Sequence, residues 1–464
     1  MIGHLSRRRF GAAAAALSVL GSGARAAAPA ELTLILMGDL HSGYAWSSRL
    51  LAAVRAEAMA APGEVRIVVN GDVFEHNNAV ARRNGGLIDL ALIRAFVSLA
   101  PTIVTIGNHD SDLFDPRDFA VRIAQQGATL LTDIVDPRTG RTYGAAAQRI
   151  VLHGRTVVFA ALGTPLLSLY PPDYRRFYRV PDPAAYAAAR LPLLFAGADL
   201  PVALVHAGFV ADQTVLPWLA RSGRPFLLHG AHDHLRFGQP VGRGLHLQSG
   251  GWSSAFQVAT IRFGKEGPAI AVRDVVLEAG APHDPALQTL VATEMARHLE
   301  PADRIVLGHL PQALALDAAV LRAADWVRAA AGTELALLSH TTFGDGLPAG
   351  SVTAYDLASF MRFDGGISTG EIPADRLDAL LARSNQFDGR TPYARRTGDY
   401  LYATHAQTLP RDRPTRVSIN SYAVSTTANR IAFLGWDAPG FVPLHGPAGP
   451  AMLGRIIAGG LAAG

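Results

Sequence analysis

Side chains of metal-binding type fall just after five apolar runs in the first half of the chain. Leu32–Met37 leads into Gly38-Asp39-Leu40-His41, Val65–Val69 into Asn70-Gly71-Asp72, and Thr102–Ile106 into Gly107-Asn108-His109-Asp110. Val202–Val205 is followed by His206-Ala207-Gly208, and Phe226–Leu228 by His229-Gly230-Ala231-His232-Asp233-His234. Taken singly, each is no more than a polar turn. Five such turns in one stretch, in a chain with no cysteine, point to a metal site of carboxylate, amide and imidazole. That donor mixture suits Zn, Mn or Fe(II), whereas Mg and Ca favour all-oxygen shells. The absence of cysteine also excludes disulfides, thiolate ligands and a cysteine nucleophile.

The runs that carry these residues are short, mostly continuous and rich in β-branched side chains, the pattern of strands buried on both faces. Thr156–Leu162 is a sixth run of the same kind. Ser47–Met59 and Leu87–Leu99 have apolar residues at helical spacing between them. The alternation predicts an α/β layered domain over residues 31–275. Its polar residues would lie beyond the carboxyl ends of the strands, where open α/β sheets place their ligands. Neighbouring glycines permit tight turns there.

The chain of 464 residues exceeds what one core organises, so two or three domains are expected. Gly280-Ala281-Pro282-His283-Asp284-Pro285 reads as part of a linker over 276–302, with a helical stretch around Gln288–His298. A second domain is expected over 303–445, with a helix at about Asp317–Ala330. The Gly/Ala-rich stretch 446–464 reads as a flexible tail.

The order D-x-H, G-D, G-N-H-D, H and H-x-H resembles the calcineurin-like metallophosphoesterase superfamily. The stretch from Leu321 to Phe441 is similar to the C-terminal domain of its 5′-nucleotidase branch. The resemblance implies a four-layer α/β/β/α catalytic domain followed by a smaller α+β substrate domain. It also implies two divalent metal ions (Mn, Zn or Fe). Asp39, His41, Asp72 and His234 would hold the first ion, and Asp72 would bridge to a second held by Asn108, His206 and His232. His109 would be the catalytic imidazole and Asp112 the carboxylate that orients it. The implied reaction is hydrolysis of phosphate esters by a metal-activated hydroxide, on a small phosphorylated substrate such as a nucleotide. Ala231 stands where the family usually has Gly. Glu75, His76, Asn77 and Asn78, just after the bridging Asp72, read as a solvated loop, and His229 and Asp233 as supporting residues.

In the second half the resemblance thins. Ser339-His340-Thr341-Thr342-Phe343-Gly344 lacks the Arg of the family's phosphate-binding signature. Phe363 matches one aromatic that stacks on the base, and Asp437, in Gly435-Trp436-Asp437, resembles the motif beside the second. Arg362 stands where the family commonly has Pro and could replace the lost charge. These departures leave two alternatives open. One is a thiosulfohydrolase-like sulfur-ester hydrolase on the same scaffold; the other is a metal-dependent binding protein without turnover.

Ser6-Arg7-Arg8-Arg9-Phe10, the mild apolar run from Gly11 to Leu20 and Ala24-Arg25-Ala26 resemble a twin-arginine signal over residues 1–28. The expectation is export by the twin-arginine machinery to the periplasm, with the signal cleaved. No later segment reaches the ~20 apolar residues of a membrane span. The formal charge is only +4, with no basic patch interleaved with aromatics, so no nucleic-acid partner is expected.

Overall fold

The computed structural model describes residues 32–388, 390–405, 408–446 and 449–463. The expected export signal lies outside these residues. In chain order the first strands are β1 (Leu32–Gly38), β2 (Glu64–Asn70), β3 (Thr102–Thr105), β4 (Thr129–Leu131), β5 (Ala147–Leu152) and β6 (Arg155–Gly163). They are followed by β7 (Leu200–His206), β8 (Leu227–Gly230), β9 (Arg236–Val241), β10 (Gly244–Ser249), β11 (Ala255–Gly264) and β12 (Gly267–Val276). Helices α1 (Tyr44–Ala60), α2 (Ala79–Asn84), α3 (Leu87–Leu99), α4 (Pro116–Gln125), α5 (Phe209–Ala220) and α6 (Pro285–His298) join or follow them.

These strands form two six-stranded mixed sheets, in the orders β12-β11-β1-β2-β3-β4 and β9-β10-β8-β7-β6-β5. The continuous apolar runs are explained by burial on both faces. In β1, Leu32, Leu34 and Leu36 enter the core between the sheets, while Ile35 and Met37 face the helices outside. In β7, Leu200, Val202 and Leu204 face the other sheet, and Ala203 and Val205 face outward. The result is helix, sheet, sheet, helix. Each fully buried Leu, Val or Phe of these layers contributes about 1.5–3 kcal/mol. The strands not singled out in the sequence include β9 and β12, whose half-exposed patterns lack a continuous apolar run.

A smaller α+β domain follows. It contains β13 (Val306–Leu310), α7 (Leu316–Ala331), β14 (Leu335–Ser339), β15 (Gly350–Thr353), α8 (Ala354–Phe360), β16 (Ile367–Ile372) and β17 (Leu401–His405). Then come β18 (Thr415–Asn420), α9 (Thr427–Leu434), β19 (Val442–Pro443) and α10 (Leu453–Ala462). Its main sheet has the order β17-β14-β18-β16-β19, with α7 packed on it through Ala319, Val320, Ala323, Ala324 and Val327.

Two sequence expectations change here. The stretch expected to be a flexible tail carries α10, because Leu453, Ile457 and Leu461 share one helix face and are buried in the same core as α7. The stretch read as a linker is docked rather than loose. Its helix α6 is capped by Asp284, whose carboxylate also pairs with Arg55 at 2.9 Å, and Leu287 and Val291 enter the first domain's core. Asn84 on α2 donates to Glu294 at 3.2 Å. The two domains also meet directly. Tyr393 Oη lies 2.6 Å from His246 Nδ1, Trp46 Nε1 donates to Asp345 at 3.0 Å, and His340 Nε2 lies 2.9 Å from the Asp233 carbonyl.

Candidate metal centre

Where β1, β2, β7 and β8 end, Asn70 clamps the two sheets together: its Nδ2 donates to the carbonyls of His229 at 2.8 Å and Val205 at 3.3 Å. The chain then turns sharply. Asp39, His41, Asp72, His232 and His234 all have positive φ, between 48° and 88°. Non-glycine residues adopt such backbone only where the surroundings enforce it, and such residues cluster at functional sites. The enforcement is visible in the hydrogen bonds. Asp39 N donates to the Gly71 carbonyl at 3.0 Å and His41 N to the Asp72 carbonyl at 2.9 Å. Asp110 accepts the backbone N–H groups of Asp72, Val73 and Gly107 at 2.7–3.0 Å, tying the second and third turns together. Gly107 is required by closeness, since a Cβ there would lie 2.1 Å from Asp72 Oδ1.

These turns bring six of the seven expected ligands together. Asp39, His41 and His234 form one group of converging donor atoms, and Asp72, His206 and His232 form a second. Asp72 joins the two: its Oδ2 lies 3.6 Å from His41 Nε2 and 3.1 Å from His206 Nε2. Asn108 is buried, with its Oδ1 free of any hydrogen bond. An orphaned buried acceptor is costly, about 1–3 kcal/mol.

The electrostatics of the cluster are compatible with a bound cation. Burial pushes the Asp39 carboxyl up to about 8, with His206 opposing and Asp72 adding to the rise. Burial also opposes protonation of His206, yet Asp72 outweighs it and lifts the imidazole to about 10. His232 and His234 are driven the other way by burial, towards the neutral form that binds metal. Buried carboxylates and neutral imidazoles in one cluster satisfy one another best around divalent ions. The residues present therefore fit a dinuclear centre.

Beside it, Asp112 Oδ2 lies 2.8 Å from His109 Nδ1, and His109 N donates to Asp72 Oδ1 at 2.7 Å. Burial opposes protonation of His109, but Asp112, Asp72 and Glu75 together hold the imidazole well above its ordinary range. Phe363, from the second domain, is half-exposed with its ring centroid 5.6 Å from that of His109.

The other expected substrate residues are placed differently. Arg362 is enclosed, 2% exposed, with its guanidinium 4.9 Å from the Trp252 ring and Nε and Nη1 lacking hydrogen-bond partners. It packs against Gly344 and Trp252 instead of reaching the mouth. Asp437 lies just past α9, where it pairs with Arg430 at 2.6 Å. A short Gly-Trp-Asp motif could not reveal that this carboxylate is taken by its own helix.

Three contributors escaped the sequence reading. The loop after Asp72, read as solvated, is built into the site: Glu75 is fully buried beside His41, and Asn78 caps α2 and donates to the Ser42 carbonyl at 2.8 Å. Of its four residues, only His76 is exposed. Trp252 stacks on His41 at 4.3 Å and holds a positive φ of 61°. Its Gly250-Gly251-Trp252 run after β10 is the one local sign that could have drawn attention. Asp110 serves as a backbone clamp, a role its place in the N-H-D turn did not disclose.

The calcineurin-like phosphoesterase family model matches residues 32–236, the stretch that carries all the metal-centre residues. No curated protein sequence matches the chain. Among solved structures, a sulfate thiohydrolase, SoxB, from Thermus thermophilus superposes with a TM-score of 0.60 at 14% identity, covering 95% of each chain. A 5′-nucleotidase from Candida albicans gives 0.59 at 13% identity, covering 95% of this chain and 99% of its own. A 5′-nucleotidase precursor from Thermus thermophilus gives 0.58 at 17% identity, covering 93% and 96%. At such identities the likeness speaks for the fold of both domains. Residues 32–236 thus match the calcineurin-like phosphoesterase family and, with a paired metal cluster at their strand ends, carry the scaffold of a metal-dependent hydrolase, while the chain as a whole has the two-domain architecture of 5′-nucleotidase-type structures.

Proposed function

We propose that this protein hydrolyses small phosphate esters, nucleotides foremost, in a cleft between its two domains, and that it does so after export to the periplasm. The observation that carries the nucleotide reading is Phe363. An aromatic ring offered half-exposed beside the His109–Asp112 pair supplies a stacking face for a planar leaving group. Divalent ions held by Asp39, His41, Asp72, Asn108, His206, His232 and His234 would supply a Lewis acid and an activated water at neutral pH.

The chain's own residues do the rest. Asp112 holds His109 through Nδ1, which leaves Nε2 to face the substrate. The charge around His109 keeps it protonated, so Nε2 can donate to a phosphoryl oxygen or to the departing group as negative charge develops. The backbone bond from His109 N to Asp72 fixes this imidazole relative to the bridging carboxylate. Phe363 orients the leaving group, a contribution of proximity.

The test is hydrolysis by the Mn-loaded protein across AMP, a cyclic nucleotide, UDP-glucose and bis-p-nitrophenyl phosphate. Phosphate release from AMP, abolished by chelation, is the expected result. Turnover of the diester alone would remove the monoester reading. Turnover of a thiosulfonate ester with none of the phosphate esters would move the assignment to sulfur-ester hydrolysis.

A further inference from the structure

His41 has two ring nitrogens, and they face different surroundings. Nε2 faces the other donors, 3.0 Å from His234 Nε2 and 3.6 Å from Asp72 Oδ2. Nδ1 points away from them, towards Glu75 Oε2 at 3.4 Å. Neither Nδ1 nor Oε2 has another hydrogen-bond partner, and both residues are buried. A buried carboxylate with a free oxygen is costly, so its placement against His41 Nδ1, with His109 as its other imidazole neighbour, calls for a reason. A metal-binding histidine is aimed by what its second nitrogen holds, and a carboxylate there selects the tautomer with the proton on Nδ1.

Glu75 is itself held from both sides. Its Oε1 accepts the N–H of Asn77 at 3.0 Å. The Asn77 side chain in turn donates to the backbone carbonyl of Arg362, a residue of the second domain. On the far side of His41, Trp252 stacks at 4.3 Å and in turn lies under the Arg362 guanidinium. The imidazole is thus confined on its face by Trp252 and at its edge by Glu75; Trp252 lies against Arg362 directly, and Glu75 is linked to Arg362 through Asn77.

We propose that Glu75 is a positioning residue: it fixes His41 as a ligand of the first metal, and the second domain steadies it through Asn77. The inference rests on the dinuclear centre but not on the identity of the substrate. The contact between the two domains would therefore support the geometry of the metal site.

The experiment measures Mn(II) affinity at each of the two sites by competition with a chelator, in the full chain and its variants. Glu75→Gln keeps the shape of the side chain and removes the acceptor charge. It is expected to weaken one site about 10–100-fold, the size of effect seen when such an outer partner is lost, and to leave the second unchanged. In a His41→Ala background, already weakened at that site, Glu75→Gln should add less than about 2-fold, because two residues acting as a unit are not additive. Asn77→Ala should weaken the same site by a smaller factor. The melting temperature of chelator-stripped Glu75→Gln should match that of the stripped parent. Unchanged affinity in Glu75→Gln would overturn the proposal. So would equal weakening of both sites, or full additivity with His41→Ala. If Glu75→Gln does not fold, Asn77→Ala decides: loss confined to one site supports the proposal, and no loss refutes it. A parent protein that binds no Mn(II) at all would instead remove the metal reading itself.

Discussion

The two domains contribute to one cleft in different ways. The first delivers nine polar residues, from Asp39 to His234, on tight turns at the ends of buried strands, five of them with backbone forced to positive φ. The second delivers Phe363 to the mouth and Arg362 to an enclosed place behind it, while Asp437 is engaged elsewhere. The first domain therefore holds the chemistry in rigid, mutually hydrogen-bonded turns. On the proposed reading, the second would select what enters, with few groups and few direct bonds. Enclosing a reactive centre demands over-determined geometry, whereas choosing a leaving group can be left to one ring on a loop.

That contrast can be broken by substitution. The largest effect is expected from Asp72→Asn, which removes the carboxylate that joins the two donor groups; activity should fall by about 10³-fold or more with loss of bound metal. Full activity in that variant would end the bridging assignment. Next, His109→Ala should lower kcat by about 10²–10⁴-fold with metal content intact, measured by elemental analysis of the same preparation. If metal is lost with it, His109 belongs to the cage and not to catalysis.

On the second domain, Phe363→Ala should raise KM for a nucleotide by about 10-fold, the worth of one stacked ring, and leave turnover of bis-p-nitrophenyl phosphate nearly unchanged. An equal loss on both substrates would make Phe363 a support for His109 instead of a reader of the leaving group. Asp437→Ala should alter neither KM nor kcat; a substrate-dependent change would restore it to the site.

A further test separates burial that serves the site from burial that does not. Asp133 lies in the first domain's core, with Oδ1 accepting the Gly163 N–H at 2.9 Å and Oδ2 without a partner. Burial raises its carboxyl from 3.8 to about 7. The unfolded chain ionises this group near pH 4 while the folded chain keeps it protonated. Its contribution to stability is thus fully present below pH 4 and is lost as pH rises towards 7. Asp133→Asn should stabilise the protein at neutral pH by about 1–3 kcal/mol and flatten the slope of melting temperature between pH 4 and 7. An unaltered slope would show that Asp133 is satisfied in the folded state.

The sequence by itself singled out the candidate ligands, because each is local to its own strand and turn. An apolar run of a few residues followed by Asp, Asn or His names both the strand and what it presents, whereas the pair of sheets was implied only by the family resemblance. Helices such as α3 and α7 were readable for the same reason, since the periodicity sits within a dozen residues. Only the tertiary structure decided which side chains press on those ligands. Glu75 looked like one residue of a polar loop until His41 was brought against it. Arg362 looked available to substrate until Trp252 and Gly344 enclosed it, and Asp437 until Arg430 claimed it. The Gly/Ala-rich C terminus looked unstructured because its apolar face has no meaning without α7 to cover it. Whatever depends on a neighbour brought close by chain closure is settled by packing, and packing leaves no short-range trace in the sequence.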